Sequence, residues 1–398
     1  MVSLEDIKSA LADGELRLFY QPKVSMLEGK VIGAEALVRW CRKDGTIVGP
    51  DDFIAVAEQG DFLHSITLEL LSQAVDNIGL VRQSFPGLSV SMNVTPFDLE
   101  SHRVSELIDG YLSRGELSSA DLQVEITESA VMTQFDHVYE DIQRLNDMGI
   151  VVLMDDFGIG YSSLDRLSQL PFSALKLDKG VVSRMGTSRQ NLNVVKSSIS
   201  MARELRMTSV AEGVETEAIY NFLLASGCEQ AQGFWISKPL PVSDYIAFLG
   251  ESRTYQGSQI GRVHQATMNI VQFRKSLIDA AFCKNMAEDE VLKVVTDPEV
   301  RLLAEESRFG VWYFGIGQSL CGISEFDVLK DSYCEMHGAA KHFMQAVEND
   351  ADKSTVDKEL CVVDEKITHV LAGLNALERR LLLSSETDDK KFAVRSVR

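Results

Sequence analysis

The feature that most constrains the fold is an alternation of helical and strand-like segments along residues 50–236. Short apolar runs rich in β-branched residues are typical of buried strands, and the stretches between them carry apolar residues at helical spacing. The strand-like runs are Leu88–Val94, Leu122–Thr127, Ile150–Met154, Ala174–Asp178, Ser209–Ala211 and Ala231–Ile236. This repetition predicts an α/β fold built on parallel strands.

Two further strands, Leu16–Val24 and Lys30–Trp40, precede this repetition. The link between them, Ser25–Gly29, is too short for a parallel crossover, which needs a dozen or more residues, so we expect an antiparallel hairpin. Together the strands predict a TIM-like (β/α)8 barrel whose first strand is antiparallel. An open doubly wound sheet is the alternative, but no glycine-rich phosphate turn follows the first strand.

The remainder of the chain lacks the strand pattern and has helical apolar spacing at 259–282, 325–348 and 354–384. These segments predict a C-terminal α-helical bundle. We therefore expect a barrel over 1–250, a helical bundle over 251–384 and a charged, disordered tail over 385–398.

Charge and composition exclude several classes of function. A formal net charge of −20 opposes general nucleic-acid binding, but it allows a small anionic substrate where metal ions reverse the local sign. The six cysteines form no CxxC pair and are expected to be reduced thiols. Neither a signal peptide nor a run long enough to span a bilayer is visible, so we expect a cytoplasmic protein without membrane contact.

Polar residues, most of them acidic, lie at or near the strand ends that would form the active face of such a barrel. They are Glu35, Arg39, Asn93, Glu125, Glu128, Asp155, Asp156, Lys176, Asp178, Glu212, Glu215 and Gln232. Converging carboxylates need cations, and oxygen ligands suit Mg²⁺ or Mn²⁺ better than zinc. Two metals bridged by a shared carboxylate would activate water against a phosphodiester, with Lys176 orienting that water or offsetting charge in the transition state.

Simpler interpretations exist for parts of this pattern. Asp155 and Asp156 could form a solvated turn that caps the next helix. Glu35 and Arg39 lie on one face of a strand and could be no more than a salt bridge. A single polar residue at a strand end could also be a helix cap, but acidic residues on most of the strands favour a shared site.

Several motifs together resemble the EAL-domain cyclic di-GMP phosphodiesterases over about residues 3–250. The matching stretches are Tyr20-Gln21-Pro22, Glu35-Ala36-Leu37-Val38-Arg39, Asn93-Val94-Thr95, Glu125-Ile126-Thr127-Glu128, Asp155 to Ser163, Leu175-Lys176-Leu177-Asp178, Glu212-Gly213-Val214-Glu215 and Gln232-Gly233-Phe234. The resemblance implies hydrolysis of cyclic di-GMP to linear 5′-pGpG with two Mg²⁺ or Mn²⁺ ions, in a homodimer formed through the barrel.

The resemblance also assigns residues to roles. The implied metal ligands are Glu35, Asn93, Glu125 and Asp155 for one ion, and Asp155, Asp156 and Glu212 for the other. The implied catalytic residues are Glu35, Lys176, Asp178 and Gln232, and the implied dinucleotide contacts are Gln21, Leu37 and Arg39. The implied regulatory set, around a mobile loop anchored by Glu128, is Glu128, Phe157, Gly158, Gly160 and Glu215.

The C-terminal region contains a second, weaker similarity. The stretch Ser307–Tyr313, followed by Phe326, Leu329 and His337, resembles the chemoreceptor zinc-binding domain, in which three His and one Cys bind zinc. His264 and His337 match two ligand positions, whereas Ser307 and Tyr333 occupy the other two. Two ligands are too few for a closed zinc site, and neither Cys334 nor His342 has the right helical offset. We therefore expect a zinc-free regulatory or dimerising module that could dock a protein partner.

The resulting hypothesis is a metal-dependent phosphodiesterase whose activity is modulated by the helical domain. One alternative is a receptor that binds the dinucleotide without hydrolysing it and signals through the bundle. In another, the bundle is the functional part, as a partner-docking or zinc-sensing module, and the barrel is its switch.

Overall fold

The computed structural model describes residues 2–59, 62–129, 135–158, 170–286, 303–349 and 351–395. The chain forms two compact units. The first comprises Met1–Met26, Lys30–Leu223 and Cys228–Tyr255, and the second comprises Leu27–Gly29, Leu224–Gly227 and Gln256–Arg398. The first unit extends to Tyr255 and not only to residue 250, and within it the Tyr220 hydroxyl donates a hydrogen bond to the Tyr255 carbonyl (2.8 Å).

The first unit is a closed barrel of eight strands, as predicted. Its strands are β1 (Leu16–Ser25), β2 (Lys30–Cys41), β4 (Ser89–Asn93), β5 (Leu122–Thr127), β6 (Val151–Phe157), β7 (Ala174–Leu177), β8 (Thr208–Ala211) and β9 (Gln230–Gln232). β1 is antiparallel to both β2 and β9, and every other pairing around the ring is parallel. Two short strands, β3 (Ile47–Val48) and β10 (Leu240–Pro241), pair outside the ring with β2 and β1.

The strand register aligns the polar residues of neighbouring strands. Glu35 lies opposite both Gln21 and Ser91, and Asn93 lies opposite Glu125. Inward-pointing side chains of such barrels stack in layers, so this register brings β1, β2, β4 and β5 to a common polar level.

Helices follow most strands of the barrel. Among the described residues they are α1 (Leu4–Ala12), α2 (Ile54–Gln59), α3 (Leu63–Ser84), α4 (Pro96–Glu100), α5 (Arg103–Ser113), α6 (Phe135–Asp147), α7 (Lys179–Arg184), α8 (Arg189–Glu204), α9 (Glu217–Ala225) and α10 (Val242–Gly250). At the start of α4, directly after the β4 loop, Thr95 and Asp98 form a reciprocal capping box.

Strand β6 differs from the expectation in one respect that matters for the site. It does not end at Met154 but continues to Phe157, so Asp155 and Asp156 lie within it. The register with β7 shifts between Met154 and Phe157, and Asp156 has a positive φ of 57°. This irregular strand end, which hydropathy alone cannot show, interrupts the regular alternation of side chains at the two neighbouring carboxylates.

The second unit is helical, also as predicted. Its helices are α11 (Gln259–Met286), α12 (Arg308–Phe314), α13 (Ser324–Asp327), α14 (Leu329–Glu348) and α15 (Lys353–Arg395). Trp312 is 1% exposed and packs edge-on against Phe309 and Phe326, so the aromatic residues of this block belong to the core of the second unit.

The C-terminal tail differs from the expectation. Helix α15 extends to Arg395, so the tail expected to be disordered is helical over most of its length.

None of the helices found in the described ranges combines the length and the apolar character needed to cross a bilayer.

Candidate active site

The predicted acidic residues converge on the ammonium group of Lys176. Its Nζ lies 3.3 Å from Glu35 Oε2, 3.2 Å from Asp155 Oδ1 and 2.6 Å from Glu212 Oε1, and it donates to Glu125 Oε2. These residues come from β2, β5, β6, β7 and the loop after β8. Lys176 and Glu125 are fully buried, and Glu35 and Asp155 are almost so. The structure thus brings four carboxylates from separate strand ends to one point.

This cluster has the composition of a hard-cation site. Oxygens of Glu35, Asp155 and Glu212 all lie within 4.8 Å of one another. Two buried oxygens nearby, Glu125 Oε1 and Gln232 Oε1, accept no hydrogen bond from any described residue. Carboxylate and amide oxygens with unused acceptor capacity are what Mg²⁺ or Mn²⁺ prefers, so the residues present fit divalent ions.

A chain of hydrogen bonds fixes Glu35. Asn93 Nδ2 donates to Glu35 Oε1 (2.9 Å), and Gln232 Nε2 donates to Glu35 Oε2 (2.6 Å). Gln232 Nε2 also donates to Gln21 Oε1 (3.0 Å), and Gln21 Nε2 donates to the Ser237 carbonyl (3.1 Å). Both oxygens of Glu35 therefore face fixed donors, which holds one carboxylate orientation.

The four carboxylate groups around Lys176 carry more negative charge than its single ammonium group can balance. Burial raises the pKa of Glu125 to about 7 and that of Glu212 to about 8, with neighbouring carboxylates adding to both rises and Lys176 opposing them. Burial disfavours the charged form of Lys176, but the surrounding carboxylates nevertheless raise its pKa well above the usual value. Burial also opposes ionisation of Glu35, yet Lys176 and the Gln232 hydrogen bond lower its pKa. One ammonium does not neutralise this cluster, and bound cations would.

Asp156 and the predicted loop anchor lie beside the cluster. Burial, followed by the charge of Asp155, raises the pKa of Asp156. Glu128 is 3% exposed, and its Oε2 accepts a hydrogen bond from the Gly158 backbone N–H (3.0 Å). Gly158 has a φ of +101°, which favours glycine, and Phe157 before it is buried. The structure thus ties Glu128 to the end of β6. Gly160 lies outside the described residues.

The predicted dinucleotide contacts are placed on the same sheet. Leu37 and Arg39 are half-buried on β2. Arg39 Nη1 donates to the Val38 carbonyl (2.8 Å), and no ion pair between Arg39 and Glu35 is found in the part of the chain that the structure describes. The plain salt bridge offered by the sequence is therefore not formed, and burial, opposed by the Glu35 charge, lowers the pKa of the guanidinium.

Asp178 and Glu215 make contacts outside the Lys176 cluster. The Asp178 carboxylate accepts a hydrogen bond from the Val181 N–H (3.1 Å) and caps α7. Glu215 Oε1 lies 3.5 Å from Lys179 Nζ in an exposed ion pair. These contacts give both residues local structural roles, and their predicted catalytic and regulatory roles stay predictions.

Sequence reasoning missed Lys23, a fully buried lysine on β1. Its Nζ donates to Ser91 Oγ and Gln123 Oε1 (2.9 Å each) and lies 3.9 Å from Glu125 Oε1. Burial lowers the pKa of this ammonium, and the charge of Glu125 opposes that shift. The available signal was strand alternation: Lys23 is two residues after Gln21 and therefore shares its face.

The two histidines matched to zinc positions have different surroundings. His264 is half exposed, with its Nδ1 3.9 Å from Glu378 Oε1. His337 is 5% exposed and packs its ring against Phe273 and Tyr333. The hydroxyls of Tyr333 and Ser307 are joined by a hydrogen bond. Among the described residues, no group of three or more metal-ligating side chains lies in the helical unit.

Comparison with known proteins assigns the family. A family model for the EAL domain matches residues 4–239, which is more than half of the chain. The protein therefore belongs to the EAL domain family.

Several relatives have named activities. The chain is 34% identical over 250 residues to the cyclic di-GMP phosphodiesterase RocR of Pseudomonas aeruginosa, covering 63% of this chain and 64% of that protein. It is 33% identical over 263 residues to the cyclic di-GMP phosphodiesterase NbdA of the same organism, covering 66% of this chain and 34% of that protein. The chain thus spans less than two thirds of the length of these relatives.

Solved structures agree with the barrel assignment. The PaMucR phosphodiesterase in complex with c-di-GMP has a TM-score of 0.58 and 33% identity, covering 61% of this chain and 98% of that one. The EAL enzyme Bd1971 in its cAMP- and cyclic-di-GMP-bound form has a TM-score of 0.58 and 26% identity, covering 62% of this chain and 67% of that one.

Proposed function

We propose that the protein hydrolyses cyclic di-GMP to linear 5′-pGpG with the help of Mg²⁺ or Mn²⁺. The observation that carries this proposal is the convergence of four carboxylates on Lys176 at one end of an EAL barrel. The named activities of RocR and NbdA support the choice of substrate. A binding-only receptor has no need for a cluster with this excess of negative charge.

The acidic residues would hold two metal ions. We assign Glu35, Asn93, Glu125 and Asp155 to one ion, and Asp155, Asp156 and Glu212 to the other. When bound, such ions polarise the phosphodiester and lower the pKa of an attacking water. The hydrogen bonds from Asn93 and Gln232 orient Glu35 before any ligand arrives, which reduces the reorganisation that binding requires.

The remaining residues act on the water and the substrate. Lys176 would orient the water through its fixed ammonium group, with Gln232 and Asp178 supporting the hydrolytic centre. Arg39, Gln21 and Leu37 would contact the dinucleotide. Attack of the water oxygen forms a new bond to phosphorus, the bond from phosphorus to the 3′ oxygen breaks, and the water proton is transferred to that leaving oxygen.

Product analysis tests this function directly. Purified protein incubated with cyclic di-GMP and Mg²⁺ should yield linear pGpG on chromatography, and EDTA should abolish the conversion. Unchanged dinucleotide after full saturation of the protein would contradict hydrolysis. Binding without product would support the receptor alternative.

The regulation is also a proposal. The barrel would form a homodimer, and the Glu128 hydrogen bond to Gly158 would couple the metal site to the following loop, with Phe157 and Glu215 taking part. The helical unit would modulate activity and dock a protein partner, and the protein would act in the cytoplasm.

We further propose that the helical unit contains no structural zinc. The Ser307–Tyr333 hydrogen bond and the apolar packing of His337 leave fewer ligands than a closed site requires. Elemental analysis of the purified chain should find zinc well below one equivalent. A stoichiometric zinc that survives dialysis against a chelator would contradict this expectation.

A further inference from the structure

A charged side chain without an assigned function lies beneath the acidic cluster. Lys23 is 1% exposed, and its ammonium group points into the barrel interior, where it meets Ser91, Gln123 and Glu125. Burying a lysine ammonium group costs free energy unless nearby groups compensate its charge. An interior lysine is therefore expected to have a specific partner or role.

The register shows how deep Lys23 lies. Its two hydrogen-bond acceptors, Ser91 and Gln123, pair with each other across β4 and β5. Each is two residues before a predicted metal ligand, Asn93 or Glu125, and so lies one layer further from the active face. Lys23 therefore contacts the cluster on the side that faces away from the active face. It is buried away from the barrel mouth where a dinucleotide would bind.

Glu125 lies between two ammonium groups. Lys176 donates to its Oε2, while Lys23 Nζ lies 3.9 Å from Oε1, the oxygen that accepts no hydrogen bond from the described residues. Among the described residues, the cationic groups within 4 Å of these four carboxylates are those of Lys176, which reaches all four, and Lys23, which reaches Glu125. In this low-dielectric interior, charges a few ångströms apart interact strongly.

We propose that Lys23 is a built-in counter-cation that stabilises the metal-free acidic site, and that bound divalent ions take over this stabilisation. Lys23 is in this account a positioning residue, acting through Glu125 and not on the substrate. The inference rests on the proposed metal-dependent function. It implies that Lys23 and the metals compete electrostatically for the same carboxylates, so the ions should bind more tightly when Lys23 is gone.

A purely structural role makes a different prediction. If Lys23 only fills space and donates to Ser91 and Gln123, its removal costs the same stability with or without metal. The two accounts therefore differ in the coupling between Lys23 and the metal and not in the loss of stability itself.

The test compares wild type with Lys23→Met, which keeps the length of the side chain and removes its charge. Thermal unfolding is followed at one fixed pH in EDTA and in saturating Mn²⁺, and Mn²⁺ affinity is measured by titration calorimetry. We expect a lower Tm for the variant in EDTA and a rise on adding Mn²⁺ that exceeds the wild-type rise by about 3 °C or more. Its Kd for Mn²⁺ should be lower than that of wild type by about tenfold.

The matched control is Gln123→Met, which removes an acceptor of Lys23 but leaves the charge. It should lose stability while its Mn²⁺-induced rise in Tm stays that of wild type. An equal rise in wild type and Lys23→Met would overturn the inference. A wild type that does not respond to Mn²⁺ at all would overturn the proposed metal site, and the inference with it.

Failure of the variant to fold is also informative. Folding of Lys23→Met in Mn²⁺ but not in EDTA would support the counter-cation role in its strongest form. If it folds in neither, Lys23→Gln is measured in the same way, because its amide can still donate to Ser91. Failure of both variants to fold in Mn²⁺ would contradict the proposal, since bound ions should replace the missing charge.

Discussion

Replacing Glu35 by glutamine is expected to lower kcat for cyclic di-GMP by ~10³-fold, on the scale of losing one preorganised electrostatic contact. Asn93 donates to one carboxylate oxygen, while Gln232 donates to the other, which also lies 3.3 Å from Lys176. A glutamine amide has only one oxygen, so its NH₂ group must face at least one of these donors. The variant loses both a negative charge for the metals and the fixed orientation of the side chain.

The control for this substitution is Glu69→Gln, which makes the same chemical change on the exposed face of α3. It should retain the wild-type rate. Circular dichroism and thermal unfolding of both variants separate a catalytic loss from unfolding. A Glu35→Gln enzyme that is folded and keeps more than about a tenth of the wild-type kcat would contradict the assigned role of Glu35.

The metal-free protein is expected to lose stability as the pH rises from 5 to 7. The pKa of Glu125 is raised to about 7 and that of Glu212 to about 8 in the folded state. Between the ordinary glutamate pKa and these values the folded chain binds more protons than the unfolded chain, so the free energy of unfolding falls as pH increases. The loss should be on the order of a few kcal/mol, measured by urea unfolding in a chelator.

Two comparisons identify the source of this pH dependence. Glu125→Gln should remove a large part of the slope, because its amide does not titrate. Saturating Mn²⁺ should abolish or reverse the slope, since the ions compete with the protons for the same carboxylates. Stability of the metal-free wild type that is constant or increases from pH 5 to pH 7 would contradict the raised pKa values of Glu125 and Glu212.

The parts of the fold that could be predicted are those set by local sequence. The short Ser25–Gly29 link required a hairpin, and β1 is indeed antiparallel to β2. The carboxyl ends of parallel strands meet on one face, so the sequence alone predicts that Glu35, Glu125 and Asp155 converge. The period of the hydropathy pattern and the length of the Ser25–Gly29 connection were sufficient for these predictions, because each can be read from a single segment of the sequence.

What could not be predicted depends on backbone detail and on contacts between distant segments. The continuation of β6 through Asp155 to Phe157 requires the positive φ of Asp156, which no periodicity reports. Asp178 accepts a capping hydrogen bond from Val181, and Arg39 donates to the Val38 carbonyl. Both contacts follow from local geometry that the residue types alone do not fix. Lys23 was missed because a lysine in an apolar strand is ordinarily at an exposed position.

The most direct test of the central account counts the divalent ions that the chain binds. Manganese titration of metal-free protein, followed by calorimetry or by the paramagnetic resonance signal of free Mn²⁺, should give two ions per chain, as expected for a bridged two-metal site. Asp155→Asn, which alters the carboxylate assigned to both ions, should weaken both binding events, whereas Glu69→Gln should leave them unchanged. A wild-type protein that binds no Mn²⁺ at millimolar concentration would contradict the account.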